Sequence, residues 1–374
     1  MESILKRLRY ADFLMLLVLL ALLAYGLAMV YSATFPSTNN SVITFSSFAQ
    51  KQIIFVVLGL VLMVSVAMID YRILHALAYV LYGLSILLLG VVLVAGHGNA
   101  EYGSQRWIDL KLFPLQPSEL AKPALVLALA RYYADNQPDV RGFRHFVVSF
   151  LFAIPPTALV YVQPDLGTSV SFLFIWFLMA LAGGVRLLYL GVSAALAAAS
   201  MPVIWSLLQG YMRDRITIFL HPESDPWGQG YNIIQAQISI GSGGMFGTGF
   251  LAGTQSQGHF LRIQHSDFIF SVLAEEMGFV GALVLFALFT LLLIRILRAA
   301  HLSRDHFGKL VAAGIAVTLI FTITVNIGAN VRLMPVTGIP LTFISYGGSS
   351  MITNLACMGI VQSILMRRKR FLRP

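Results

Sequence analysis

Ten apolar runs, several of them short or interrupted, lie at about 13–34, 53–69, 73–95, 117–130, 146–162, 166–185, 187–209, 268–297, 310–331 and 339–366. A bilayer core is crossed by ~20 mostly apolar residues in a helix. Without water, every backbone polar group must be satisfied internally, so helices or closed barrels are the structures that span. A chain with ten such runs cannot be a soluble globule. Composition agrees, with 58% hydrophobic and 11% charged residues, against about 25% charged in soluble domains. The expected fold is an all-α polytopic membrane protein of about ten transmembrane helices, one domain over residues 1–374. Pro155-Pro156 is expected to break the fifth span, and Gly347-Gly348 lies within the last. The first run is long for a signal-peptide core and reads as a retained anchor.

Ten spans put both termini on one side. Seventeen of the 25 Lys and Arg fall on that side and seven on the other, with Lys122 inside a span. The positive-inside rule then makes the termini cytoplasmic. The net charge of +9 is therefore a topology signal joined to anionic-lipid contact, not a nucleic-acid footprint. The lone Cys357 forms no intrachain disulfide. The sizeable loop, about 210–267 between spans seven and eight, faces outward.

Ionisable groups at membrane depth demand a reason. Glu119 and Lys122, three apart in Gln116-Pro117-Ser118-Glu119-Leu120-Ala121-Lys122, share a helix face. They read either as a structural ion pair or as a lysine held ready for an anion. Asp165, in Gln163-Pro164-Asp165-Leu166-Gly167-Thr168, and Asp267, in His265-Ser266-Asp267-Phe268, both stand where an N-cap would. As a cap, Asp267 would have its pKa lowered, making it a weaker base. Glu275 and Glu276 need partners among cations or backbone groups. Arg213 and Arg215 flank Asp214. If that segment is helical, one of the two faces the crevice, and Arg215 is favoured. Arg332 follows Asn330-Val331, before a late-starting or re-entrant final helix. The expected feature is an outer crevice holding Lys122, Arg213, Arg215 and Arg332 with Glu119, Asp165 and Asp267, suited to a lipid pyrophosphate.

These motifs, with Gly103-Ser104-Gln105-Arg106-Trp107-Ile108, Thr254-Gln255-Ser256-Gln257, Ala274-Glu275-Glu276 and Ile344-Ser345-Tyr346-Gly347-Gly348-Ser349-Ser350, resemble the SEDS family of shape, elongation, division and sporulation proteins. The likeness runs from about residue 100 to the end and is strongest to the elongation branch. Arg262-Ile263 replace a Pro-Glu usual in the family, Ser266 a Thr, and Thr342 a Pro. The resemblance implies an inverting peptidoglycan glycosyltransferase that polymerises lipid II on the outer face of the cytoplasmic membrane. It implies Asp267 as the essential carboxylate with Glu119 and Lys122 beside it. Asp165, Arg213, Arg215, Arg332, Gln255 and Ser256 are the candidate substrate contacts. The implied partners are a class B penicillin-binding protein and other elongation-complex proteins. No metal-ligand cluster is spelled out, and a divalent cation on the pyrophosphate stays open. A lipid II flippase and a non-catalytic scaffold for a transpeptidase are the alternatives.

Overall fold

The computed structural model describes residues 11–35, 47–96, 106–109, 114–208, 210–258 and 260–368. Gly103-Ser104-Gln105, Lys111 and the basic residues at both extreme termini lie outside them. In chain order the described helices are α1 (Phe13–Ala33), α2 (Ser47–Met68), α3 (Tyr71–Ala95), α4 (Pro117–Asp135), α5 (Phe143–Val162), α6 (Leu166–Gly183) and α7 (Leu187–Ala199). Then follow α8 (Met201–Leu207), α9 (Gly210–Leu220), α10 (Gln229–Ser242), α11 (Thr254–Gln257), α12 (Ile269–Leu302), α13 (His306–Asn330) and α14 (Gly348–Met366). A two-residue antiparallel ladder, β1 (Ile108–Asp109) with β2 (Pro114–Leu115), precedes α4.

The protein is an all-α polytopic membrane protein. Among the described residues, eight helices are long and apolar enough to cross a bilayer: α1, α2, α3, α5, α6, α12, α13 and α14. The other two expected spans differ. The fourth is α4, whose Glu119, Lys122, Arg131 and Asp135 make it polar. The seventh divides into α7 and α8 at Ser200, just ahead of Pro202. Proline has no N–H to donate, so it suits the first turn of a new helix rather than the interior of an old one.

Pro155-Pro156 does not break α5, contrary to expectation. A proline strips its partner four residues back of a donor. For Pro156 that partner is the Phe152 carbonyl, and Tyr82 of α3 donates to it at 2.7 Å. A neighbouring helix thus completes the backbone. The last span does start late. Residues 339–347 are irregular yet largely buried, and their polar groups are paired. Ser345 Oγ accepts from Leu341 N and donates to the Ser266 carbonyl, while Gln52 donates to the Ser345 carbonyl.

Contacts define two ends of the bundle. At one, Asp12 caps α1 and pairs with Arg295 of α12, and Arg367 pairs with Asp70. At the other, Ser32 of α1 meets Glu276, and Gln116 before α4 meets Ser349 of α14. The candidate site lies at this second end.

Candidate active site

α12 and α13 are antiparallel neighbours joined at one end, yet α12 is 34 residues long and α13 is 25. Ser271 lies 32 residues before Ser303, and Asn330 lies 24 after His306. At ~1.5 Å per residue, straight helices would put them at ~48 and ~36 Å from the shared turn. They nevertheless hydrogen-bond at 2.7 Å. Gly278, at φ +66, absorbs the difference by kinking α12. A side chain there would strain the backbone and collide with Gly247. The kink brings the start of α12 down onto the end of α13.

The kink also frees backbone groups, and the preceding loop pairs with them. Thr248 N and Gly249 N donate to the Glu275 and Glu276 carbonyls, and Phe279 N and Val280 N donate to Gly244 and Met245. The buried side chain of Glu275 accepts from the amides of Gln255 (2.7 Å) and Ser256 (3.1 Å). Glu276 accepts from Ser32 Oγ at 2.5 Å. The two glutamates therefore find amides and hydroxyls rather than cations. Gln255 and buried Ser256 stand in the frame that holds this loop.

The frame delivers Asp267. Its main-chain carbonyl accepts from Asn330 Nδ2 (2.9 Å) and Asn326 Nδ2 (3.2 Å). Its neighbours are tied to the irregular segment: Tyr346 N donates to the His265 carbonyl and Ser345 Oγ to that of Ser266. The half-buried carboxylate accepts from Ser266 Oγ at 3.0 Å. Among the described residues, nothing donates to Oδ2. The expected N-cap is absent: Phe268 occupies that position, without a side-chain bond. The expected pKa shift reverses as well. Burial lifts the Asp267 carboxyl above its usual range, with the Asp165 charge adding to the rise, while the Ser266 bond and the Arg215 charge offset it. Nearby His265 is pushed down by burial.

Asp165 does cap its helix, accepting from Thr168 N (3.1 Å) and Thr168 Oγ1 (2.9 Å). Arg106 lies 3.8 Å from its Oδ2 and also donates to the Gln163 and Pro164 carbonyls. Arg106 is not among the expected site residues; its place beside Trp107 in Gly103-Ser104-Gln105-Arg106-Trp107-Ile108 is the signal that marks it.

The cations divide. α9 is helical, so Arg213 and Arg215 point apart. Arg213 donates back to the Ser206 carbonyl at 2.5 Å, and Arg332 donates to the Leu220 carbonyl at 3.1 Å. Arg213 thus holds the end of α8 and Arg332 the end of α9. The Arg215 charge acts on Asp267, and among the described residues Arg215 has no hydrogen-bond or ion-pair partner. Lys122 is elsewhere. It pairs with Glu119 at 2.7 Å, both side chains buried, beside a small cavity lined by Thr318 of α13 and Thr353, Asn354 and Cys357 of α14. Glu119 Oε2 has no partner there. Among the described residues, no hydrogen bond or ion pair links this pair directly to Asp267.

The family model described as "Cell cycle protein", covering FtsW, RodA and SpoVE, matches residues 12–370. The chain belongs to this family. Among its relatives, peptidoglycan glycosyltransferase MrdB of Escherichia coli strain K12 is 42% identical over 366 residues, 96% of this chain and 95% of that one. Peptidoglycan glycosyltransferase RodA of Treponema pallidum is 34% identical over 96% of this chain and 98% of its own. Among solved structures, a chain from a peptidoglycan synthase complex that couples polymerization and crosslinking superposes with TM-score 0.80 at 33% identity, covering 96% and 99%. Rod shape determining protein RodA of Thermus thermophilus superposes at 0.71 with 31% identity, covering 96% and 98%.

Proposed function

We propose that this chain polymerises lipid II into glycan strands at the outer face of the cytoplasmic membrane, with Asp267 as general base. That it is a peptidoglycan glycosyltransferase of the elongation type follows from relatives of that activity matching nearly its whole length. The residue-level reading is carried by one observation: a half-buried carboxylate held by a single described hydrogen bond, on one oxygen, with the Arg215 charge acting on it.

The acceptor sugar hydroxyl must lose its proton as it attacks the donor's anomeric carbon. Asp267 Oδ2 takes that proton, and its raised pKa brings it nearer to working pH, where general bases are most effective. Configuration inverts, and a lipid pyrophosphate departs. That leaving group needs positive charge rather than an acid, and Arg215 supplies it as the charge develops. Asp165 with Arg106 fixes the turn opposite. Glu119 and Lys122 pair within α4 and present their charges to a cavity that α13 and α14 also line. Among the described residues no three His, Cys, Asp or Glu gather where one ion could be held.

The basic excess on the side of Arg72, Arg131, Arg295 and Arg367 supports cytoplasmic termini in the inner membrane. Likeness to a polymerising and crosslinking complex supports a class B penicillin-binding protein as partner, within a larger elongation complex. The test is purified protein in detergent with fluorescent lipid II. Detergent has no leaflets, so polymer formed there cannot come from flipping. Wild type should make strands, and Asp267→Asn should lose roughly 10²–10⁴-fold in rate. An Asp267→Asn variant working at wild-type rate would sink the base assignment.

A further inference from the structure

We propose that Asn326 and Asn330 are positioning residues for the reaction, fixing the Asp267 carboxylate through its own main-chain carbonyl. The proposal rests on Asp267 being the base.

A buried amide side chain in a membrane helix is costly unless its hydrogen bonds are made. Asn326 and Asn330 are both buried, one turn apart on the same face of α13. Their bonds converge. Asn326 Nδ2 donates to the Asp267 carbonyl (3.2 Å) and to that of Ile339 (2.9 Å). Asn330 Nδ2 donates to the Asp267 carbonyl and to that of Asn326, both at 2.9 Å. Asn330 Oδ1 accepts from Ser271 Oγ (2.7 Å) and Ser271 N (3.3 Å).

This arrangement replaces what α12 cannot provide for itself. Ser271 N, the helical partner due to the Asp267 carbonyl, turns to Phe268 instead at 3.0 Å. The first turn also has no N-cap side chain. The two asparagines supply donors to the orphaned carbonyl and an acceptor to the first-turn amide. The same Asn326 amide ties Asp267 to Ile339, beside Gly338, whose position for a side chain faces Asp267 Oδ2. The carboxylate itself has one described hydrogen bond, from its sequence neighbour Ser266. Its position is therefore inherited from the backbone that α13 holds. A base misplaced by about 1 Å loses rate on the order of 100-fold without losing substrate affinity.

The test compares full-length wild type with Asn326→Leu, Asn330→Leu, the double variant and Asn330→Asp, using fluorescent lipid II in detergent. Asn330→Asp keeps the shape and Oδ1 and removes the Nδ2 donation at the cost of a buried carboxyl, so Tm and folded fraction are measured for every variant and kcat is taken per folded protein. Thr322→Val is the structural control: it removes the buried Thr322–Thr342 hydroxyl contact (2.8 Å) on the same helix. The expected result is a kcat lowered roughly 10- to 100-fold in the double variant and about 10-fold in Asn330→Asp, with KM within about twofold. Thr322→Val should lower Tm and leave kcat alone. Asparagine variants that keep wild-type kcat, or lose it only in proportion to folded protein, overturn the proposal. Asp267→Asn measured alongside separates the two readings. If it is inactive while the asparagine variants turn over normally, positioning fails and the base stands. If it is active, the base assignment fails and carries this inference with it.

Discussion

The charges facing Asp267 act on it with opposite signs, which makes its protonation testable residue by residue. Arg215 favours the ionised carboxylate and Asp165 disfavours it. Arg215→Gln should therefore move the acid limb of the kcat profile to higher pH, and Asp165→Asn should move it lower. Shifts in the same direction would mean that neither charge reaches the base. Stability carries a second signature. The Asp267 pKa is higher folded than unfolded, so the native state binds the extra proton between the two values. Its stabilising effect is complete at low pH and is lost as pH rises through that window. Asp267→Asn should thus raise Tm in neutral detergent solution, and the gain should vanish below the carboxylate range. For the buried pair, neutralising Glu119 or Lys122 alone strands a charge, at roughly 3–5 kcal/mol. The double change to Gln and Met should recover much of that. Additive losses in the cycle would exclude coupling.

At the scale of elements, the kink in α12 connects a sequence detail to the site. Glu275 and Glu276 are legible as carboxylates that need partners, and the stretch before them as a long outward loop. That they meet was not legible, because it depends on where α12 bends. Gly278→Ala should destabilise by about 1 kcal/mol or more, since φ there is positive and Gly247 blocks the added carbon. Thermal unfolding would measure it. Activity should fall with it, because the loop anchored at Gly278 leads into Asp267. An Ala variant matching wild type in Tm would show that the bend is relaxed elsewhere.

Arg72, Arg131, Arg295 and Arg367 lie at one end of the molecule and the Asp267 site at the other, and this can be checked from outside the cell. Cys357, the single cysteine, is buried against the Glu119–Lys122 cavity. The wild-type background should therefore be silent to an impermeant maleimide. A cysteine at exposed Ser224 should label in intact spheroplasts, and one at exposed Asp139 only after permeabilisation. The reverse pattern would invert the topology.

Sequence alone determined the solvent. Apolar runs of span length fix a helical membrane protein, because unpaired backbone in hydrocarbon is too costly for any other chain path of that composition. It also marked Asp267, Asp165, Glu119 and Lys122 as polar groups in expensive places. Tertiary structure decided what each one faces. Asp165 caps α6 while Asp267, in a similar local sequence, caps nothing, because α13 asparagines take over the start of α12. Arg213 and Arg332 are drawn off to carbonyls at the ends of α8 and α9, while Arg215 has no partner among the described residues. Pro155 and Pro156 stay inside a helix because Tyr82 of another helix supplies a missing donor. Each outcome depends on a partner far away in the chain. Local spacing can show that a buried polar group must be satisfied, and the packing of distant helices decides by what.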